Sequence, residues 1–183
     1  MAVTLIKEDG TGAVSGANAY EDVAGANQYM ENTNRKDEWT AFSQATRRAA
    51  LLTATQYMDD RYRCRYLGVR QESTEDTQPL EFPREDLFFP SGAEIPAAQI
   101  PVEILEACAE FALIAAAGPI QPDPVYDSTG RSVERKLVRV EGAVTKDTTY
   151  GGSPTPVLNR RYPAAEQILS RWLRPRSRTL LRA

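Results

Sequence analysis

The apolar positions of this chain fall into four stretches of helical spacing and one of strand-like alternation, separated by segments rich in proline and glycine. Residues 2–6 suit a short strand, which Asp9-Gly10-Thr11-Gly12 breaks. Ser15-Gly16-Ala17-Asn18 leads into a first helix over about 19–32, with Tyr20, Val23, Ala24 and Tyr29 on its apolar face. A longer helix starts at Asp37 or Ser43 and runs to Tyr62, with Ala45, Ala49, Leu52, Tyr57 and Met58 near helical spacing. Trp39 and Phe42 stand on its first turns and read as core aromatics. Pro101 suits the first turn of a third helix, over about 101–117. There Ile104, Leu105, Ala107, Cys108, Ala109, Phe111, Ala112, Leu113 and Ile114 leave only Glu106 and Glu110 as a solvent stripe. So apolar a helix belongs at the centre of a bundle or in a subunit interface. Pro163 opens a fourth helix, over about 163–173, carrying Ala165, Ile168, Leu169, Trp172 and Leu173; Arg174-Pro175-Arg176 ends it.

Between the second and third helices, residues 71–99 show no helical period. Gln78-Pro79-Leu80-Glu81-Phe82-Pro83-Arg84, Phe88-Phe89-Pro90 and Ile95-Pro96 predict an ordered loop of extended pieces packed on the helices. Further on, Val133–Val140 and Ala143–Tyr150 predict a β-hairpin turning at Glu141-Gly142. A lone hairpin is marginal in water and leaves open edges, so it is expected to pair with a neighbouring copy. Lys136, Val138, Val140, Val144, Lys146 and Thr148 are the candidate subunit-interface residues. The predicted fold is therefore mainly α: a small bundle of about four helices with a β-hairpin insertion and an extended C-terminal tail. Residues 1–173 form the domain and 174–183 the tail.

Charge adds one asymmetry. The 183-residue chain has a formal net charge of −3, but residues 159–183 hold seven arginines against the single acid Glu166. The rest keeps 15 of the 22 basic and 24 of the 25 acidic residues, a net of −9. An acidic body with a basic end predicts a tail that docks on something acidic. Pro175 frees the chain beyond the last helix, Arg174, Arg176, Arg178 and Arg182 supply charge-assisted contacts, and Leu180-Leu181 adds an apolar anchor. A second basic stretch, Arg61–Arg70, interleaves arginines with Tyr62 and Tyr66, as a surface for phosphates and bases would. A plainer account fits it better: a helix end whose tyrosines fold back on the core, flanked by Asp59-Asp60 before and Glu72, Glu75 and Asp76 after.

Candidate chemistry is sparse. The chain has no histidine, which removes the commonest general base and metal ligand. Gly10-Thr11-Gly12 lacks the lysine and helix of a phosphate loop, and no Gly-x-Ser-x-Gly elbow occurs. Asp59 and Asp60 diverge on a helix and make a poor acid–base pair. Cys64 and Cys108 lie far apart, which supports neither a disulfide framework nor a zinc site; Cys108 reads as a small core residue. No run of about 18 apolar residues exists, and the N-terminus turns polar too soon for a signal peptide. The expectation is a protein without catalytic activity, cofactor, metal or membrane partner.

Several segments together carry a family resemblance: Ala17-Asn18-Ala19-Tyr20, the run Ala49–Asp59, the loop Gln78–Arg84, Ile95-Pro96 with Ile100-Pro101 before an alanine-rich helix, the hairpin, and Tyr162-Pro163 with Ile168–Leu173. The series resembles the head-to-tail connector (adaptor, or neck) family of tailed bacteriophages, some of whose members are labelled DnaT-like single-stranded-DNA-binding proteins. It spans about residues 15–173; the segments 71–77 and 121–132 and the arginine-rich end depart from it. The resemblance implies a ring, commonly of twelve copies, beneath the portal protein, contacting further neck or tail proteins, with DNA passing through its lumen without sequence-specific binding. Such a protein is made in the host cytoplasm and resides in the virion neck. It also implies that Arg174, Arg176, Arg178, Leu180, Leu181 and Arg182 bind the portal. The alternative is a single-stranded-DNA-binding accessory protein, favoured by Arg61–Arg70 and the basic tail and opposed by the acidic body.

Overall fold

The computed structural model describes residues 4–70, 78–121, 133–141, 143–150 and 161–175, with backbone alone for the strands of 133–150. The chain is mainly α. Five α-helices are described: α1 (Val23–Asn32), α2 (Lys36–Thr40), α3 (Gln44–Tyr62), α4 (Val102–Ala117) and α5 (Pro163–Leu169). Two short antiparallel pairs accompany them, β1 (Val69–Arg70) with β2 (Arg84–Glu85), and β3 (Val133–Glu141) with β4 (Ala143–Tyr150). The described residues divide into two compact units. One runs to Ile120 and resumes at Tyr162; the other holds the β3–β4 hairpin.

In the helical unit α4 lies between α3 and α5 and also meets α1. Leu51, Ala54 and Met58 of α3 are buried, as are Ile104, Ala107, Cys108 and Phe111 of α4 and Ala165 and Leu169 of α5. Thr55 Oγ1 and Cys108 Sγ sit 3.5 Å apart, so the two long helices are in direct contact. Cys108 is a buried core residue, and burial pushes its thiol up to about 12. Around Phe111 the rings of Tyr57, Tyr62 and Tyr162 have centroids 5.1, 6.4 and 5.9 Å away.

Local chemistry moved several predicted boundaries. The first helix begins at Val23, not near residue 19. Ala19 is held by a parallel bridge to Lys7, and Asp22 caps the helix by accepting from the Gly25 amide at 2.8 Å. The predicted opening strand reduces to that bridge; residues 4–6 carry no strand, and residues 1–3 lie outside the described chain. The long second helix is two helices. Ser43 caps α3, its Oγ accepting from the Thr46 amide at 3.1 Å, and Trp39 of α2 is buried in the core while Phe42 is half-buried. On α3 the buried stripe is Ala50, Leu51, Ala54, Met58 and Tyr62, whereas Ala45 is exposed.

On α4 the expected solvent stripe is corrected too: Glu106 is half-buried, and Glu110 is buried, receiving Arg35 at 2.5 Å and the Tyr29 hydroxyl at 3.0 Å. Leu105 and Ile114, expected in the core, are half-buried at its edge. In the described part of the predicted loop Leu80, Phe82, Leu87 and Ile95 are buried as expected, whereas Phe88 and Phe89, expected to pack with them, are exposed; residues 71–77 lie outside the described chain.

The hairpin has the expected strands, with one bulge between Val133 and Arg135. Lys136 pairs with Thr148, Val138 with Lys146 and Val140 with Val144. The six candidate interface residues are thus three successive partner pairs at every second position.

Candidate functional site

The two basic stretches that stand about a hundred residues apart in sequence meet in the fold. After α3 the chain makes a 3-10 turn over Arg63–Arg65, and after α5 another over Ser170–Trp172. Tyr66 then forms an antiparallel bridge with Leu173. The Leu67 amide donates to the Trp172 carbonyl at 2.9 Å, and the Arg174 amide to the Arg65 carbonyl at 2.7 Å. This seam carries Arg63 and Arg65 on one segment and Arg171 and Arg174 on the other, with Arg70 a few residues beyond.

The side chains divide into structural and surface groups. Tyr62 and Tyr66 are buried and cannot present a face to a base. Arg61 lies over Tyr57 and Tyr62 at 5.7 and 5.6 Å and reaches Glu166 at 3.6 Å. To this extent the plainer account of Arg61–Arg70 holds: a helix end whose tyrosines return to the core. Arg84 is also structural. Buried at the base of the loop, it donates to the carbonyls of Leu67 at 2.9 Å and Gly68 at 3.1 Å and to the Glu81 carboxylate at 3.0 Å. Gly68 itself takes φ of +68°, and a Cβ there would stand 2.3 Å from the Glu85 carbonyl oxygen, so a side chain at this turn would push β1 off β2.

On the surface, Arg63 and Arg174 are exposed and Arg65 is half-buried. Arg63 pairs with Glu81 at 3.1 Å, and Arg171, lying 5.7 Å over the Trp172 ring, pairs with Glu103. Beside the seam Phe88 and Phe89 are 55% and 39% exposed, and Phe89 meets Trp172 edge-on at 6.5 Å. Exposed aromatics next to guanidinium groups are the ingredients of a single-strand-binding surface, in which bases stack and cations hold phosphate. Sequence reading had placed Phe88 and Phe89 in the packed loop; only their exposure distinguishes them from Phe82, which is fully buried.

A second cluster lies inside. Asp59 accepts from the Tyr20 hydroxyl at 2.5 Å and the Glu81 amide at 3.3 Å. Burial pushes its carboxyl up to about 7. Asp60, its neighbour, is exposed, so the two do diverge as expected. Asp59 ties α3 to the loop. Glu8 is likewise buried, its carboxylate accepting from the amides of Gly10 at 3.2 Å and Gly12 at 2.9 Å, and burial raises its pKa. Among the described residues no group of His, Cys, Asp and Glu side chains converges as a metal site would require, and no helix is long and apolar enough to cross a membrane.

Of the residues expected to bind a portal, Arg174 is placed on the seam. Arg176, Arg178, Leu180, Leu181 and Arg182 lie outside the described residues, as do the side chains of the six hairpin residues expected at a subunit interface. No curated protein and no solved structure matches the chain. One family does, over residues 3–183, nearly the whole length, and its description agrees with the alternative reading of the sequence rather than with the connector. The chain belongs to the family described as "Putative DnaT-like ssDNA binding protein".

Proposed function

We propose that this protein binds single-stranded DNA non-enzymatically, using the arginine seam as its phosphate-binding surface. The observation that carries the reading is the joining of residues 63–67 to 172–174, which brings segments of both basic stretches side by side in an otherwise acidic chain. Arginine suits such contacts because its planar fork meets phosphate oxygens two at a time. The family description supports the same reading. A filter-binding titration with a single-stranded oligonucleotide at several salt concentrations tests it. Affinity should fall linearly on logarithmic axes as salt rises. Arg65→Ala and Arg174→Ala should each weaken binding across sequences and lower the salt slope by roughly one. Absence of binding at low salt overturns the reading.

A second reading is favoured by one observation. The β3–β4 hairpin is a compact unit of two strands, with no third strand beside it among the described residues. Such a ribbon can extend a sheet into a neighbouring copy, as a ring-forming head-to-tail connector in a virion neck requires. Stable rings, and a complex with a portal protein by native mass measurement, would support that reading; a monomer at all concentrations would sink it.

A further inference from the structure

We propose that the turn spanning Leu87–Ile95 is the element that recognises unpaired bases, with Phe89 as the principal stacking ring and Phe88 beside it. This rests on the reading of the protein as a single-strand binder and names the contact that would distinguish single strands from duplex. The turn is built to hold its aromatics outward. Leu87 and Ile95, at its two ends, are buried in the core, and the Ile95 amide donates to the Leu87 carbonyl at 2.8 Å. Phe88 bridges Glu94, the Phe89 amide donates to Ala93 at 2.8 Å, and the Gly92 amide donates back to Phe89 at 2.8 Å. The backbone is therefore fixed while both rings keep part of their surface in solvent, an arrangement that saves ordering entropy on binding.

Charge decides what covers them. Phe89 and Arg171 contact the same buried indole, at 6.5 and 5.7 Å from the Trp172 ring, so the exposed ring and a guanidinium, itself paired with Glu103, share one neighbour. Trp172 itself is buried, and its Nε1 has no hydrogen-bond partner among the described residues. Arg174, two residues after Trp172, is exposed. The acid of the turn, Glu94, is bridged to Phe88 and repels phosphate there. The sugar–phosphate backbone is accordingly assigned to the Arg171 side and the stacked base to Phe89. A duplex has its bases stacked on one another and offers no free face to the ring.

Fluorescence anisotropy with labelled oligothymidine, using the full chain at a series of salt concentrations, tests this. Phe89→Ala should weaken single-strand affinity about tenfold and Phe88→Ala less, in line with the loss of one stacked base. Phe89→Tyr should retain affinity, and duplex binding and the salt slope should not change. Crosslinking of the unmutated protein to a 5-bromodeoxyuridine oligonucleotide should place the adduct at Phe88 or Phe89, independent of how any variant folds. Wild-type affinity in the Phe88→Ala, Phe89→Ala double variant, or adducts only elsewhere, overturns the inference while leaving single-strand binding intact. No binding by the unmutated chain overturns the reading beneath it. Loss of self-association in the double variant, with DNA affinity unchanged, makes the turn a protein interface and overturns the inference.

Discussion

Asp59 sits one turn beyond Thr55 on the buried stripe of α3, where a carboxylate is the costliest of ordinary residues to place. Its partners are both donors, the Tyr20 hydroxyl and the Glu81 amide, but desolvation outweighs them and raises its pKa to about 7 from 3.8. The folded protein thus holds a proton that the unfolded chain releases above about pH 4. The contribution of Asp59 to stability is greatest below that value, falls as pH rises, and levels off above about 7. Asp59→Asn should remove this fall. The difference between wild type and variant in urea denaturation should change by at most about 1.4 kcal/mol per pH unit inside the window and stay flat outside it. A pH-independent difference would mean that Asp59 is ionised throughout.

Phe111 gives a second residue-scale test. Fully buried among three tyrosine rings, it should cost about 3–5 kcal/mol when changed to alanine, whereas half-buried Leu105 should cost less. Thermal melts of the two variants check the order. Periodicity had ranked the two residues equally, because it identifies an apolar helix but not which neighbours cover each side of it.

Among elements, α4, the hairpin and the start of α5 were legible because each has a start signal: proline before α4 and at the start of α5, alternation about a glycine in the hairpin; α5 itself ends at Leu169, short of the predicted 173, and gives way to the 3-10 turn over Ser170–Trp172. The α2–α3 boundary was ambiguous because Asp37 and Ser43 both make good helix starts, and the fold uses two helices. The arginine seam was legible only as two separate charged stretches. Nothing local announces that Tyr66 will bridge Leu173, since a contact between residues so far apart depends on how α3 and α5 pack on α4. Glu110 was misplaced for a related reason: its partners Arg35 and Tyr29 come from the N-terminal part of the chain and make burial of a charge tolerable. Arg35→Ala should therefore destabilise the protein by about 1–3 kcal/mol, by leaving a buried carboxylate short of a donor. Adding Glu110→Gln should recover part of that loss in chemical denaturation, and strict additivity of the two changes would show that the pair is not coupled.

At the scale of the whole molecule, the two readings of function depend on different parts of the chain. Single-strand binding draws on the helical unit and on residues 174–183, which contain four arginines and no acid. Ring formation draws on the hairpin unit. Deleting Lys136–Thr148 removes most of β3 and β4 while leaving every helix, the seam and the C-terminal arginines in place. The helical unit should melt as before, because the hairpin belongs to a separate compact unit. If the seam binds DNA, the deletion should leave single-strand affinity unchanged. Truncation after Leu173 should instead lower the salt slope by up to about three, the product of four lost cations and roughly 0.7 counterions each. Sedimentation of the same two proteins reads the other function. Rings lost on hairpin deletion but kept on truncation, with no DNA bound by either, would establish assembly and overturn the DNA-binding reading; monomers throughout, with binding lost only on truncation, would do the reverse.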